Sequence, residues 1–485
     1  MSSIYFIALP LLFGFAVPIL SKIGKDGVAY TSLAMQTLLT LLSITLALKL
    51  DSPIVEVIAI APPLGIALVV DSVSILFVTL FTSLTLATSI YYMGGRDKIK
   101  YKNENKFFIL LNMLLASAIG LVLSSDIFNI YVFFEIAGIS AYILASYNKT
   151  PEALEAGLKY LITGAMASIF LVFAIALIYL HLGTLNLALI SQNFNTLSGE
   201  IQLLIATLLL IGFGFKVEIF PLNFWVSDIY EGSTSLVNGL FSSIVSKAYL
   251  FVFFHILYLL LPHHSFTNFL IYLGVVSLII AEIVALRQRN IKRLFAYSSL
   301  GQLALLFIAF SIQTTDSIYA GLYIILAHSL AKMVIFLSIS YISDRYGSED
   351  IEIFSTLNSP FLKWVLVISM LSLLGMPLFA GFVGKFLLLK TLGGMGSYGV
   401  VGAILFASLI EAIYYFKLIG MLFNSREMGE SINISPTQKS ILSALAIAVI
   451  LFGVAPFIIS DWLNVASEAM INSHIYQNII LGVKI

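Results

Sequence analysis

The chain has 485 residues, 60% of them hydrophobic and only 10% charged, whereas an average soluble domain is about 45–50% apolar and about 25% charged. Lys+Arg and Asp+Glu balance at 25 each, so no basic excess points to nucleic acid. The absence of cysteine excludes disulfides, thiol nucleophiles and iron–sulfur ligation by this chain. The six histidines are scattered, with no H-E-x-x-H or Cys/His cluster to suggest a metal site.

A run of about 20 apolar residues spans a bilayer, and such runs recur along the whole chain, so the fold class is an all-α polytopic membrane protein. Spans are expected at 4–21, 28–49, 70–93, 107–124, 127–147, 157–181, 202–222, 234–261, 267–286, 294–312, 317–342, 362–390, 398–422 and 438–460. They must be helices, because lipid-exposed backbone cannot leave its polar groups unpaired and the alternation of a membrane barrel is missing. The first run follows no basic region or small-residue cleavage site, so it reads as an uncleaved span and not a signal peptide. The stretch from Asp51 to Val69, with Pro53, Pro62 and Pro63, is too broken to span and is expected as an irregular or hairpin segment at one surface.

Basic residues set the orientation. Lys22 and Lys25 follow span 1, and Arg96, Lys98, Lys100, Lys102 and Lys106 follow span 3. Lys149 and Lys159 follow span 5, and Arg287, Arg289, Lys292 and Arg293 follow span 9, while Arg345, Arg426 and Lys439 fall in later odd-numbered loops. Even-numbered loops hold only Lys49 and Lys390 at their edges. The positive-inside rule then puts the odd loops in the cytoplasm and both termini outside the cell membrane.

Eight titratable residues lie deep in apolar sequence: Glu135, Lys216, Glu218, Lys247, His328, Lys332, Lys385 and Glu411. A charge at the bilayer centre costs at least about 2.5–3.5 kcal/mol on insertion scales. Structural ion pairs between helices would account for one such charge, but lysines cannot pair with one another, so a lysine-dominated row points to a proton relay with a carboxylate partner. Lys216 and Lys385 sit beside helix breakers (Gly212, Gly214 and Pro221; Gly375, Pro377, Gly381 and Gly384). Broken spans at corresponding places in two halves mark the ion site of an inverted-repeat transporter. Spans 7 and 12 are five apart, which suggests repeats of spans 4–8 and 9–13 and a division into 1–105, 106–262, 263–425 and 426–485. His328 and Lys332 share a helix face. His181, His255, His263 and His264 read as structural, and Glu282 is expected to reach outward to Arg287 and Arg289. The G-x-G-x-x-G match at Gly394–Gly399 follows no strand and is discarded as a nucleotide site.

At these residues the sequence resembles the antiporter-like membrane subunits of respiratory complex I, Mrp antiporters and archaeal membrane-bound hydrogenases. The resemblance runs from Asp71 to Lys390 through Asp71–Phe77 (DSVSILF), Asp126–Glu135 (DIFNIYVFFE), Lys216–Trp225 (KVEIFPLNFW), Ser246–Tyr249 (SKAY), Lys292–Ser299 (KRLFAYSS), Leu371–Pro377 (LSLLGMP) and Gly381–Lys385 (GFVGK). It implies fourteen helices with two inverted five-helix repeats and broken helices 7 and 12. It also implies that Glu135 is a switch carboxylate with Lys216 as its partner, that Lys247, His328 and Lys332 form a hydrophilic axis, and that Lys385 is terminal. A lysine at 385 looks more like the N- and L-type complex I subunits than the M-type. The departures are Glu218, Asn223 and Ser227, where the family block has proline, histidine and proline, and Tyr230 and Gly232-Ser233, where it has histidine and an Ala-Pro pair.

The function expected on this resemblance is proton or sodium/proton translocation by one subunit of a redox-driven membrane complex, with Glu218 and Glu411 as candidates for an additional ion site. The chain itself would hold no cofactor, metal or catalytic redox site. Iron–sulfur clusters or other redox centres would belong to a peripheral arm, and further antiporter-like and small multi-span subunits would be its membrane partners. The alternatives are an Mrp-type Na⁺/H⁺ antiporter subunit with no redox arm and a non-conducting scaffold.

Overall fold

A computed structural model describes residues 2–23, 26–58, 65–96, 103–261, 266–424 and 434–482. Lys25, Pro62, Pro63, Lys98, Lys100, Lys102, His263, His264 and Arg426 lie outside the described residues. The chain opens with α1 (Tyr5–Ile23) and α2 (Gly27–Ala47), followed by an antiparallel hairpin of β1 (Ile54–Ile58) and β2 (Ile66–Val70), paired from Ile54 opposite Val70 to Ile58 opposite Ile66. A hairpin is one of the two forms expected here from the prolines, and its second strand is buried from Ala67 to Val70. Glu56 of β1 accepts bonds from the Ser2 and Ser3 hydroxyls and the Ile4 amide, tying the chain's start to the hairpin.

Next come α3 (Ser72–Gly94), α4 (Glu104–Leu123), α5 (Ile127–Ala145), α6 (Pro151–Leu182), the short α7 (Leu187–Asn193) and α8 (Gly199–Val217). Two residues of the sequence motifs prove to be helix caps. Asp71 and Ser74 form a reciprocal capping box on α3, and Asp126 accepts from the Phe128 and Asn129 amides of α5. Such a cap is worth about 1 kcal/mol. After a break come α9 (Val226–Gly232), α10 (Ser235–Leu240), a π turn over Phe241–Val245, and α11 (Ser246–Leu260). Then follow α12 (Thr267–Leu286), α13 (Ile291–Ser311), α14 (Thr315–Tyr346) and α15 (Ile353–Thr356). The chain ends with α16 (Pro360–Leu374), α17 (Ala380–Gly394), α18 (Tyr398–Phe423), α19 (Pro436–Val454), α20 (Phe457–Ile471) and α21 (Ser473–Ile480).

Thirteen helical segments among the described residues are long and apolar enough to cross a membrane, the π turn joining α10 and α11 into one of them. The pair α16 and α17, of which α16 is a shorter apolar helix, covers the expected twelfth span. Lipid-type surfaces, with apolar side chains pointing outward, lie on α1, α2, α6, α12, α18 and α19. The membrane-crossing stretches of α10–α11 and α14 are wholly buried and that of α13 nearly so. These three form the centre of the bundle.

The breaks expected in spans 7 and 12 are present: α8 stops at Val217, and the twelfth span is interrupted between Leu374 and Ala380. Both breaks end on a left-handed cap, Glu218 at φ +64° and Gly375 at φ +85°. Glycine takes that conformation freely, whereas glutamate does so at a cost. Span 14, expected to reach 460, stops at Val454, because the chain turns at Ala455–Pro456 and a separate α20 packs on α3 and α14. Trp462 of α20 donates to the Ser72 carbonyl at 3.0 Å.

Candidate functional site: a row of buried lysines

The first break carries Lys216, in the last turn of α8. Its ammonium donates to the Tyr142 hydroxyl at 2.8 Å and lies 4.6 Å from the ring centroids of both Tyr142 and Tyr160, with Phe134 and Tyr249 completing an aromatic box. Electron-rich ring faces attract a cation without neutralising it. Glu135 is half-buried on α5, and its Oε1 has no hydrogen-bond partner. Glu135 and Lys216 are within coulombic range of each other but form no ion pair in this structure. Tyr142, two turns after Glu135, is the residue that touches the lysine. Glycine makes that contact sterically allowed: a Cβ on Gly164 would stand 1.7 Å from the Tyr142 hydroxyl.

Glu218 follows at the break. It is only 6% exposed, its Oε2 has no hydrogen-bond partner, and it lies in coulombic range of both Lys216 and Lys247. Two residues are about 200° apart on a regular helix, so Glu218 comes near Lys216 only because the helix ends there in a left-handed cap.

Lys247 stands just past the π turn. A π turn widens the helix by one residue per turn and offsets its carbonyls, and here the Lys247 ammonium takes the Ser242 carbonyl at 2.5 Å and the Ser246 hydroxyl at 3.2 Å. Ser243 and Ser329 exchange reciprocal hydroxyl-to-carbonyl bonds at 2.9 and 3.0 Å, clamping the π turn to α14. His328, the neighbour of Ser329, is buried with neither ring nitrogen bonded. One turn on, Lys332 donates to the Ser298 hydroxyl at 2.7 Å and to the Phe295 carbonyl at 3.0 Å.

The second break carries Lys385 on α17. Its ammonium pairs with Glu411 of α18 at 2.5 Å and reaches the Leu374 carbonyl at 3.2 Å. Gln302 of α13 donates to the other Glu411 oxygen at 2.9 Å and to the Leu373 carbonyl at 3.1 Å. The carbonyls that α16 leaves unpaired at its end are thus taken by the side chains of the ion row. Close packing at the break depends on Gly381, where a Cβ would stand 1.8 Å from the Ser372 carbonyl.

At one end of the bundle, the segments after spans 5, 9 and 11 and the α9 helix surround a cavity of about 600 Å³ lined by Glu152, Glu155, Lys159, Asp228, Glu231, Lys292 and Glu349. Lys159 bridges Glu155 and Asp228, each at 2.7 Å. Arg293 bridges Asp228 at 2.8 Å and Glu231 at 2.6 Å, and Lys292 pairs with Glu349.

The chain as a whole is similar to known proteins. Residues 124–411 match the family model described as NADH:quinone oxidoreductase/Mrp antiporter, TM. The chain belongs to this family. It is 30% identical over 408 residues to NADH-quinone oxidoreductase subunit N of Flavobacterium johnsoniae, a match covering 80% of this chain and 87% of that protein. It is 28% identical over 429 residues to a Na⁺/H⁺ antiporter subunit of Bacillus subtilis, covering 86% of each. Among solved structures, a chain of the membrane-bound sulfane sulfur reductase, an archaeal respiratory membrane complex, superposes with a TM-score of 0.91 at 32% identity, over 99% of this chain and 100% of that one.

In this antiporter-family chain the structure corrects one reading made from sequence. Glu282 does not reach outward to Arg287 and Arg289. It is 1% exposed, accepts the Tyr414 hydroxyl at 2.8 Å and presses Oε1 into the space left by Gly301. The facing helices supply a donor and a gap, and those draw the carboxyl inward. His255 keeps a packing role, stacked on Phe251 and edge-on to Tyr476, and His181 is exposed at the end of α6. Sequence reasoning passed over Tyr142, Gln302, Tyr414 and Tyr415. Only Tyr142 left a trace, in its spacing of seven from Glu135, which puts both on one helix face.

Proposed function

We propose that this antiporter-like subunit carries ions across the cell membrane along Lys216, Lys247, His328, Lys332 and Lys385, with Glu135 as the carboxylate that modulates the first lysine. The observation carrying the proposal is that Lys216, Lys247 and Lys332 are buried yet bonded only to neutral oxygens. A buried charge left without a counter-charge costs several kcal/mol. Three in one bundle make a poor scaffold and a good relay, because each can give up its proton to the next. Glu411 serves Lys385 in this scheme. Glu218, between Lys216 and Lys247, is the carboxylate free to accept a proton or a sodium ion.

The two broken helices, each ending in a left-handed cap beside a lysine, support inverted repeats over 106–262 and 263–425. The acidic cavity at the end carrying Lys159, Lys292 and Arg293 supports a cytoplasmic mouth for the first half, with both termini outside. The match to a chain of an archaeal respiratory complex along its full length supports a redox-driven assembly, whose peripheral arm would carry the redox centres.

The proposal is tested by affinity purification through this subunit in mild detergent, followed by mass spectrometry. Co-purifying iron–sulfur subunits support the redox-driven assembly. Recovery of small multi-span antiporter subunits alone contradicts it and favours the Mrp-type alternative.

A further inference from the structure

The second half of the bundle holds a lysine without a carboxylate and a carboxylate without a lysine. No ion pair involves either Lys332 or Glu282 among the described residues. Both are fully buried. The other acid in the region, Glu411, is already occupied by Lys385 and Gln302.

Hydroxyl groups fill the space between the two. Lys332 Nζ donates to Ser298 Oγ at 2.7 Å, and Ser298 Oγ shares a 2.6 Å bond with the Tyr415 hydroxyl. The Tyr415 and Tyr414 rings pack edge-on with centroids 4.6 Å apart, with no direct hydrogen bond between their hydroxyls in this structure. Tyr414 Oη then donates to Glu282 Oε2 at 2.8 Å. Both terminal bonds point the same way, from ammonium toward carboxylate.

The geometry points to Lys332 and Glu282 as the two ends of a proton wire through Ser298, Tyr415 and Tyr414, with Glu282 as the proton store that sets the charge of Lys332. This deepens the relay reading above and rests on it. In the forward step the Lys332 ammonium loses a proton to Ser298 Oγ, each hydroxyl passes its own proton onward, the Tyr415 and Tyr414 hydroxyls swinging together for the middle transfer, and the Glu282 carboxylate receives the last. One N–H bond breaks at the lysine and one O–H bond forms at the glutamate. The total charge is unchanged, but two unpaired buried charges vanish together, and each costs several kcal/mol while it lasts. The reverse step restores both, so the pair switches between an ionic and a neutral state without net charge movement across the bilayer. A neutral Lys332 is ready to take the next proton from the Lys247 side.

Glu282→Gln in the assembled complex keeps the volume and still offers an oxygen to Tyr414, so a structural glutamate would tolerate it. The wire requires instead that ion translocation fall to about a tenth or less, with assembly intact. In infrared difference spectra recorded during turnover, a protonated-carboxyl band is expected that is lost in both Glu282→Gln and Lys332→Met. Should Glu282→Gln fail to assemble, Tyr414→Phe decides, since it breaks the wire without adding or removing charge: slowed translocation upholds the wire and unchanged translocation overturns it. Full translocation in Glu282→Gln overturns the inference. Lys332→Met separates the two levels. If it abolishes translocation while Glu282→Gln does not, only the wire is wrong; if it too is silent, the relay reading itself falls.

Discussion

Lys385 and Glu411 meet at 2.5 Å between α17 and α18, and the bond fixes the interrupted twelfth pass to its neighbour. The same glutamate holds Gln302, which in turn takes a carbonyl left free at the end of α16. The ion pair and the helix break are therefore one structure.

Removing Glu411 strands a buried ammonium, and breaking a buried pair from one side costs about 3–5 kcal/mol. Glu411→Ala is expected to lower the melting temperature of the purified subunit markedly. The double variant Lys385→Met/Glu411→Met is expected to recover much of that loss, since an apolar pair replaces a buried ionic one at little net cost. Strictly additive losses in a thermal double-mutant cycle would show that the two do not interact.

Gly164→Ala is expected to disable the first half without unfolding it. Its new methyl carbon would lie 1.7 Å from the Tyr142 hydroxyl and 3.1 Å from Lys216 Nζ, so the tyrosine must swing off the lysine. Tyr142→Phe removes the same bond directly. Each should slow translocation several-fold, and the double variant should be no worse than the more severe single one, as expected for residues acting on one contact. Normal flux in Gly164→Ala would show that the Tyr142 contact has no part in translocation.

Gly381→Ala is a structural test of the second break. The Cβ would stand 1.8 Å from a backbone carbonyl, which cannot rotate away as a side chain can. Loss of the assembled subunit from membranes is expected, measured by its abundance beside that of Gly393→Ala, where a Cβ meets nothing within 4 Å.

Glu218→Gln removes the carboxylate in reach of both Lys216 and Lys247 and keeps its shape. Translocation is expected to drop several-fold, with assembly unchanged. Measuring the flux with and without sodium identifies the ion: a sodium-stimulated component that disappears in Glu218→Gln assigns the residue to Na⁺, and a drop independent of sodium assigns it to the proton path.

Much of this architecture is readable in the sequence because bilayer physics leaves few choices. Apolar length gives the passes, the prolines before Val69 give the hairpin, and Gly-Pro clusters beside Lys216 and Lys385 give the two breaks. The buried lysines stand out because each is costly where it lies. What stays hidden depends on which helix faces which. Tyr142, Tyr414 and Tyr415 look like ordinary aromatic residues of apolar helices until their hydroxyls are seen on Lys216, Glu282 and Ser298. Glu282 is misread from sequence because arginines lie close along the chain, whereas Tyr414 is close only in space. Glu411 shows itself as a buried charge, but its partner Lys385, 26 residues away, emerges only when the broken pass packs against α18. The separate α20 is missed because the apolar run continues through Ala455–Pro456, where the backbone turns.

If ions travel along the buried lysines, Lys247 is the decisive position, because it sits at the middle of the row with only oxygen partners from its own helical segment. The direct measurement is ion translocation into sealed vesicles carrying the assembled complex with Lys247→Met, read alongside assembly and the driving reaction. The expected result is an intact complex whose translocation falls to about a tenth or less. Undiminished translocation by an intact Lys247→Met complex would contradict it.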